Sequence, residues 1–322
     1  MTATPVTRAT ARVPASGDAE RTFVPTHVTD VRKTLGPLAR GRHDLTTRIG
    51  TSAYEGVWRA TRTPDGACVE HLCQQGQQIT VRAWGPGATW AVERAPVLVG
   101  GGDDDDDAFC IDPARHEVLH RTWRLNPGVR TPCTMAVWET LFRVILEQKV
   151  TGKEAASSYR MLARALGEPA PDAPGPKLTL IPDPSVVADT PHHVFMSANV
   201  ERKRADTIRR AASYAHRLEE GAAVSLDEAY RRLQAIPGVG EWTINEVGVI
   251  ALGDVDAVSV GDYHVKNHVS WALAGEPRGT DERMVELLQP YRPYRARMVR
   301  IIHMSGLQPP RYGPRLTIQR RW

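Results

Sequence analysis

At 322 residues, with 41% hydrophobic and 24% charged residues, the chain has an ordinary folded composition and the length of one large unit or two or three packed ones. No apolar run approaches the ~20 residues that cross a bilayer, so no helical membrane segment and no membrane partner are expected. The net charge of +4 and pI of 8.9 are mild for a nucleic-acid binder, which makes the placement of charge matter more than its total.

Residues 1–25 are rich in Thr, Ala, Arg and Pro and lack the apolar stretch of a secretory signal. They read as a disordered tail on a cytoplasmic protein. Cys68, Cys73, Cys110 and Cys133 have spacings that fit no zinc or iron–sulfur pattern, so free thiols are expected.

Residues 26–108 read as a small mixed α/β domain. Between Thr34 and Val99, short β-prone runs such as "GVWRATRTPDGACVEHL" and "QQITVRAWGPGATWAV" are broken by turn residues. Pro64-Asp65-Gly66 is a turn signal, since Pro sets the first turn dihedral and Gly accepts a positive one. An antiparallel sheet with one or two helices follows. The run Asp103 to Asp107 closes the segment as a solvated loop, because adjacent like charges repel and consecutive side chains diverge too far to share a metal.

From 109 to 310 helical periodicity dominates, and the region reads as all-α. In "MAVWETLFRVILEQKV", Val137, Leu141, Val144 and Ile145 recur at helical spacing; a second helix runs from Lys153 to Leu166, stopped at Gly167. Pro-rich text from Pro169 to Pro191 predicts a loop with one short helix. "ERKRADTIRRAASYAHRLEE" is a basic-faced helix, Ser225 is placed to cap the next, with Glu228 at its capping-box position, and two more span 281–288 and 294–304. The fold class is thus α+β. From Arg292 onward the chain carries arginines and no acids, ending in a basic tail at 311–322 that favours a polyanion.

In "LQAIPGVGEWTINEVGVIALGDVDAVSVGDYHVK", residues Pro237, Gly238, Val239 and Gly240 form a tight hairpin between helices, with Ile236 and Val239 anchoring it in the core. The backbone N–H groups at the start of the following helix suit phosphate. A plain helix–turn–helix corner is the competing reading. Asp262, just before the helical "YHVKNHVSWAL", reads either as a helix cap or as a functional carboxylate.

Taken with "LFRVILEQKVTGKEAASSYRML", "NVERKRADTIRRAA" and "YRPYRARMVRIIHM", this stretch resembles the helix-hairpin-helix (HhH-GPD) DNA glycosylases. Specifically it resembles the 3-methyladenine DNA glycosylase II (AlkA-like) branch, whose N-terminal domain is echoed in "LARGRHDLTTR", "VWRATRTPDG" and "AWGPGATWAVERAP". The resemblance implies a two-lobed all-α core with the active-site cleft between its lobes. The activity it implies is release of alkylated purines from duplex DNA after base flipping, by a monomer associated with the nucleoid.

On that resemblance Asp262 is the catalytic carboxylate. Trp242 stands where strand-cutting members carry a Schiff-base Lys, so only base hydrolysis is expected. Trp242, Tyr263, His303 and Trp138 are the base-pocket candidates, His303 replacing a stacking Trp. Gln148 and Lys149 match the loop that fills the gap left by the flipped nucleotide, Lys149 departing from the usual Leu or Gln. No cofactor is required and no iron–sulfur cluster is expected. A Na⁺ or K⁺ ion is implied at the backbone carbonyls of Gln234, Ile236 and Val239. A non-catalytic binder of distorted duplex, or a glycosylase for bulky, deaminated or oxidised bases, are the alternatives.

Overall fold

The computed structural model describes residues 18–41, 43–53, 55–100 and 109–310. The acidic run Asp103 to Asp107, the tail before residue 18 and the basic tail at 311–322 lie outside the described residues.

The N-terminal domain begins with β1 (Ala19–Phe23) and α1 (Val31–Leu35). A meander follows: β2 (Thr47–Ile49), β3 (Val57–Thr63), β4 (Gly66–Gln75) and β5 (Gln78–Trp84), then α2 (Ala88–Leu98). The strands make one antiparallel sheet in the order β1-β5-β4-β3-β2. The Pro64-Asp65-Gly66 turn joins β3 to β4 as expected, with Thr63 opposite Gly66. Alternation along β5 buries Ile79, Val81 and Ala83 on one face, and α2 covers that face with Ala88, Ala91, Val92 and Ala95. The expected boundary of the tail is corrected here. Ala19–Phe23 pairs residue for residue with Phe23↔Ile79 through Ala19↔Ala83, so the sheet reaches back into residues read as disordered. The reason is nonlocal: the edge of β5 supplies backbone partners that "AERTF" does not announce.

The second domain runs through α3 (Glu117–Arg124), α4 (Val137–Glu147), α5 (Gly152–Leu166), β6 (Glu168–Pro169), β7 (Thr179–Leu180), α6 (Pro184–Asp189), α7 (His192–Ser197), α8 (Arg202–Ser213), α9 (Ala215–Glu219), α10 (Leu226–Gln234), α11 (Glu241–Val247), α12 (Val265–Ala274), α13 (Asp281–Leu288) and α14 (Arg295–Ser305). A π-helical segment, Gly248–Leu252, extends α11. The β6–β7 pair departs from the all-α expectation, because a Pro-rich stretch that cannot be helical satisfies its backbone by pairing. Gly167 stops α5 as read, but at φ −76 rather than in a left-handed cap; a Cβ there would lie 2.3 Å from the Ala163 carbonyl oxygen. Ser225 caps α10 by accepting the Glu228 N–H, whereas the Glu228 carboxylate turns to Arg231 and Arg232.

Two hydrophobic cores divide these helices into lobes. One centres on Leu141, Ile145, Leu162, Ile208 and Val247 and holds α4, α5, α8 and α11. The other centres on Phe109, Leu119, Val269, Met284 and Met298 and holds α3, α12, α13 and α14. The chain crosses from the first to the second between residues 252 and 265, and Asp262 sits in that crossing. No helix among the described residues is long and apolar enough to span a membrane.

The sheet is tied to the first lobe by a buried ion cluster. Arg59 of β3 meets Glu70 of β4 at 2.7 Å and Glu139 of α4 at 3.0 Å; Glu139 also accepts the Thr61 hydroxyl and the Arg62 N–H. Burial opposes the Arg59 charge, and the two carboxylates outweigh it. Of the arginines read as a polyanion surface, the four among the described residues each have partners within the protein. Arg292 and Arg295 pair with Asp256, Arg297 lies over the Phe109 ring, and Arg300 donates to the Lys33 carbonyl. Arg59→Met, which leaves two buried carboxylates uncompensated, is expected to lower unfolding stability by about 3 kcal/mol in urea titration.

Candidate active site

The hairpin forms because α10 ends at Gln234 and the chain reverses within a few residues before α11 begins. Ile236 and Val239 are buried while Pro237, Gly238 and Gly240 are exposed, as their spacing predicts. The Val239 N–H donates to the Ile236 carbonyl at 3.0 Å, closing the turn. The Pro237 carbonyl accepts from Arg210 of α8, and the Gly238 carbonyl accepts from Gln148 at 3.1 Å. The two glycines differ physically. Gly238 has φ +99, and a Cβ there would meet Thr207 Oγ1 at 2.2 Å; Gly240 has φ −103 and open space around it.

Asp262 uses both carboxylate oxygens. Oδ1 accepts the backbone N–H groups of His264 at 2.7 Å and Val265 at 2.8 Å, closing the turn that leads into α12. Oδ2 accepts the indole N–H of Trp242 at 3.1 Å, from α11 in the other lobe. One oxygen thus closes the turn into α12 and the other faces the opposite lobe. From the α13 side the loop is pinned by Asp281, which accepts the Gly261 N–H and pairs with Lys266 at 3.0 Å.

Histidines line the neighbouring wall. The His264 and His268 rings lie 6.2 Å apart, and His268 meets His303 edge-on at 5.5 Å. Burial drives the His303 imidazole down to about 4, His268 and Arg300 add to the effect, and Asp262 opposes it. By accessible surface the His303 side chain is nonetheless exposed. It is neutral at physiological pH, with one ring nitrogen a donor and the other an acceptor.

The other assignments fare unevenly. Trp138 is 2% exposed in the first core, and its indole N–H donates to the Pro182 carbonyl, so it is a packing residue and not a pocket wall. Tyr263 is 74% exposed, its ring edge against His264, and stands open beside Asp262. Gln148 gives its amide to the Gly238 carbonyl and the Thr243 hydroxyl, which makes it a brace between α4 and the hairpin instead of a gap-filling residue. Lys149 is exposed and left-handed at φ 55, a strained backbone state for a residue with a side chain. The Gln234, Ile236 and Val239 carbonyls lie along the hairpin. The Ile236 carbonyl receives the Val239 N–H.

Glu246, Ser259, His264, His268 and Asp281 were not legible as site residues. One signal was available: Glu246 lies one helical turn beyond Trp242 and thus on the same face of α11. Gly238→Ala is expected to cost more than about 1 kcal/mol in thermal melts and Gly240→Ala distinctly less, since only Gly238 combines a positive φ with a blocked Cβ position.

No family model matches the chain. DNA-3-methyladenine glycosylase 2 of Escherichia coli K12 is 26% identical over 207 residues, covering 63% of this chain and 70% of that protein. The probable bifunctional transcriptional activator/DNA repair enzyme AlkA of Mycobacterium tuberculosis is 33% identical over 159 residues, 48% of this chain but only 30% of that longer protein. In fold, the 3-methyladenine DNA glycosylase of Archaeoglobus fulgidus superposes with a TM-score of 0.69 at 17% identity, covering 88% of this chain and 98% of that one. The 8-oxoguanine glycosylase/lyase of Clostridium acetobutylicum gives 0.65 at 10% identity, covering 91% and 97%. By sequence the chain is similar to AlkA-type DNA glycosylases, and it shares the fold of solved DNA glycosylases.

Proposed function

We propose that the protein is a monofunctional DNA glycosylase of base excision repair that hydrolyses the N-glycosidic bond of alkylated purines, of the 3-methyladenine and 7-methylguanine type, in duplex DNA. The observation that carries the reading is Asp262, clamped between lobes by Trp242 on one oxygen and the α12 turn on the other. A carboxylate held this way needs no reorganisation when positive charge develops on the sugar as the base departs. The hairpin would grip a phosphate, with a Na⁺ or K⁺ ion at the Gln234, Ile236 and Val239 carbonyls supplying positive charge toward the backbone. Lys149 is the residue available to enter the gap left by the flipped nucleotide: its stem is apolar and its ammonium can reach phosphate.

Cationic alkylpurines already carry a weakened glycosidic bond, so modest electrostatic assistance suffices. The E. coli and A. fulgidus proteins named for 3-methyladenine favour this substrate class. A second reading is favoured by His303. A neutral imidazole reads an uncharged deaminated or oxidised base by hydrogen bonding, where an indole would stack on a cation.

Release of free base from methylated duplex DNA, with deaminated and oxidised duplexes alongside, distinguishes the two substrate readings. Asp262→Asn is expected to reduce single-turnover release about 100-fold while leaving DNA affinity unchanged; a variant with the wild-type rate would remove Asp262 from its role. Because Trp242 offers no amine, borohydride is expected to trap no covalent complex with DNA on the productive substrate. A trapped complex would overturn the monofunctional assignment.

A further inference from the structure

The helix that supplies Trp242 carries a carboxylate one turn later. Trp242 and Glu246 share a face of α11, and both reach the loop that bears Asp262. Trp242 donates to Asp262 Oδ2, and the Ser259 hydroxyl donates to Glu246 Oε1. The Ser259 carbonyl in turn accepts the Asp262 backbone N–H at 3.1 Å. The turn from Ser259 to Asp262 is thus held against α11 at both ends. From the opposite side Asp281 fixes only the residue between, through the Gly261 N–H.

We propose that Glu246 is a positioning residue for the reaction: by holding Ser259, it fixes the turn that carries Asp262 against α11 and so sets how the carboxylate meets the sugar. The proposal rests on Asp262 being the group that faces the sugar.

The charged groups acting on Glu246 come from three directions. Glu147 and Arg143 belong to α4, Arg40 reaches in from the N-terminal domain, and Asp262 faces it from the crossing loop. Arg40 and Arg143 both pair with Glu147, at 3.6 Å in the case of Arg143. Burial is the largest influence and pushes the Glu246 carboxyl above its ordinary value. The Ser259 hydroxyl opposes this, Glu147 and Asp262 add to it, and Arg143 opposes.

The Trp242 indole N–H resonance in proton–nitrogen spectra of the full chain, assigned with Trp242→Phe, reads the clamp without any substrate. Glu246→Ala and Ser259→Ala are each expected to move that resonance upfield, as its hydrogen bond to Asp262 lengthens. Both are expected to slow single-turnover base release about tenfold or more at unchanged DNA affinity. Glu246→Gln keeps an acceptor for Ser259 and is expected to restore most of the rate and the native resonance position. A Glu246→Ala variant with native circular dichroism, an unmoved indole resonance and the wild-type rate overturns the proposal, as does a Glu246→Gln variant as slow as Glu246→Ala. If wild-type protein releases no base from any duplex yet the resonance moves in both alanine variants, the clamp stands and the glycosylase reading fails.

Discussion

The hydrogen bond between the Trp242 indole and Asp262 spans the junction on which the rest of the site depends. Trp242 is rooted in the first lobe by α11, and Asp262 lies in the loop that starts the second. The same carboxylate closes the turn into α12 with its other oxygen. Its geometry is therefore set by both lobes at once, and any relative motion of the lobes is felt at the one group proposed to meet the sugar. A carboxylate with two fixed roles has lost its rotamer freedom before a substrate arrives, which is the preorganisation electrostatic catalysis requires.

The N-terminal sheet is not a passive addition to this arrangement. Arg59, flanked by Glu70 and Glu139, joins β3 and β4 to α4, and the Thr46 hydroxyl lies 3.0 Å from Tyr159 on α5. From the same domain Arg40 pairs with Glu147 near the end of α4, and that pair lies in the field of Glu246. Two groups of charges, Arg59 with Glu70 and Glu139, and Arg40 and Arg143 with Glu147, thus sit where the N-terminal domain meets α4. Buried ion clusters contribute little net stability, because desolvation offsets their attraction, but they penalise every arrangement that separates the partners. Here that penalty keeps the domains in one register around the site.

Local features of the site were legible because they depend on neighbours in sequence. The Gly238 turn, the buried pair Ile236 and Val239, the helix spans of α4, α5, α10 and α13 and the Pro64-Asp65-Gly66 hairpin all follow from side-chain periodicity or backbone permissiveness within a few residues. The Thr151 and Glu154 capping box that starts α5 obeys the same local rule. Trp138 shows where such reading stops. An aromatic side chain near a site in sequence becomes a core residue once Pro182, far along the chain, accepts its N–H. Gln148 is a similar case, since the hairpin that takes its amide lies about ninety residues away. The arginines of α14 looked like a surface for a polyanion until Asp256 and the Phe109 ring claimed them.

By itself, the sequence determined an α+β chain with a glycine hairpin, a carboxylate shortly after it and a tryptophan between them. Each of these is a property of residue type and spacing, which chain covalency carries unchanged into the fold. Only the tertiary structure decided that the tryptophan would reach the carboxylate, that Glu246 would accept from Ser259 in the same loop, that His268 would meet His303 edge-on, and that Ala19–Phe23 would complete the sheet. Those outcomes depend on which faces meet and how much water they exclude. Both are set by packing among segments far apart in the chain, and no local pattern encodes them.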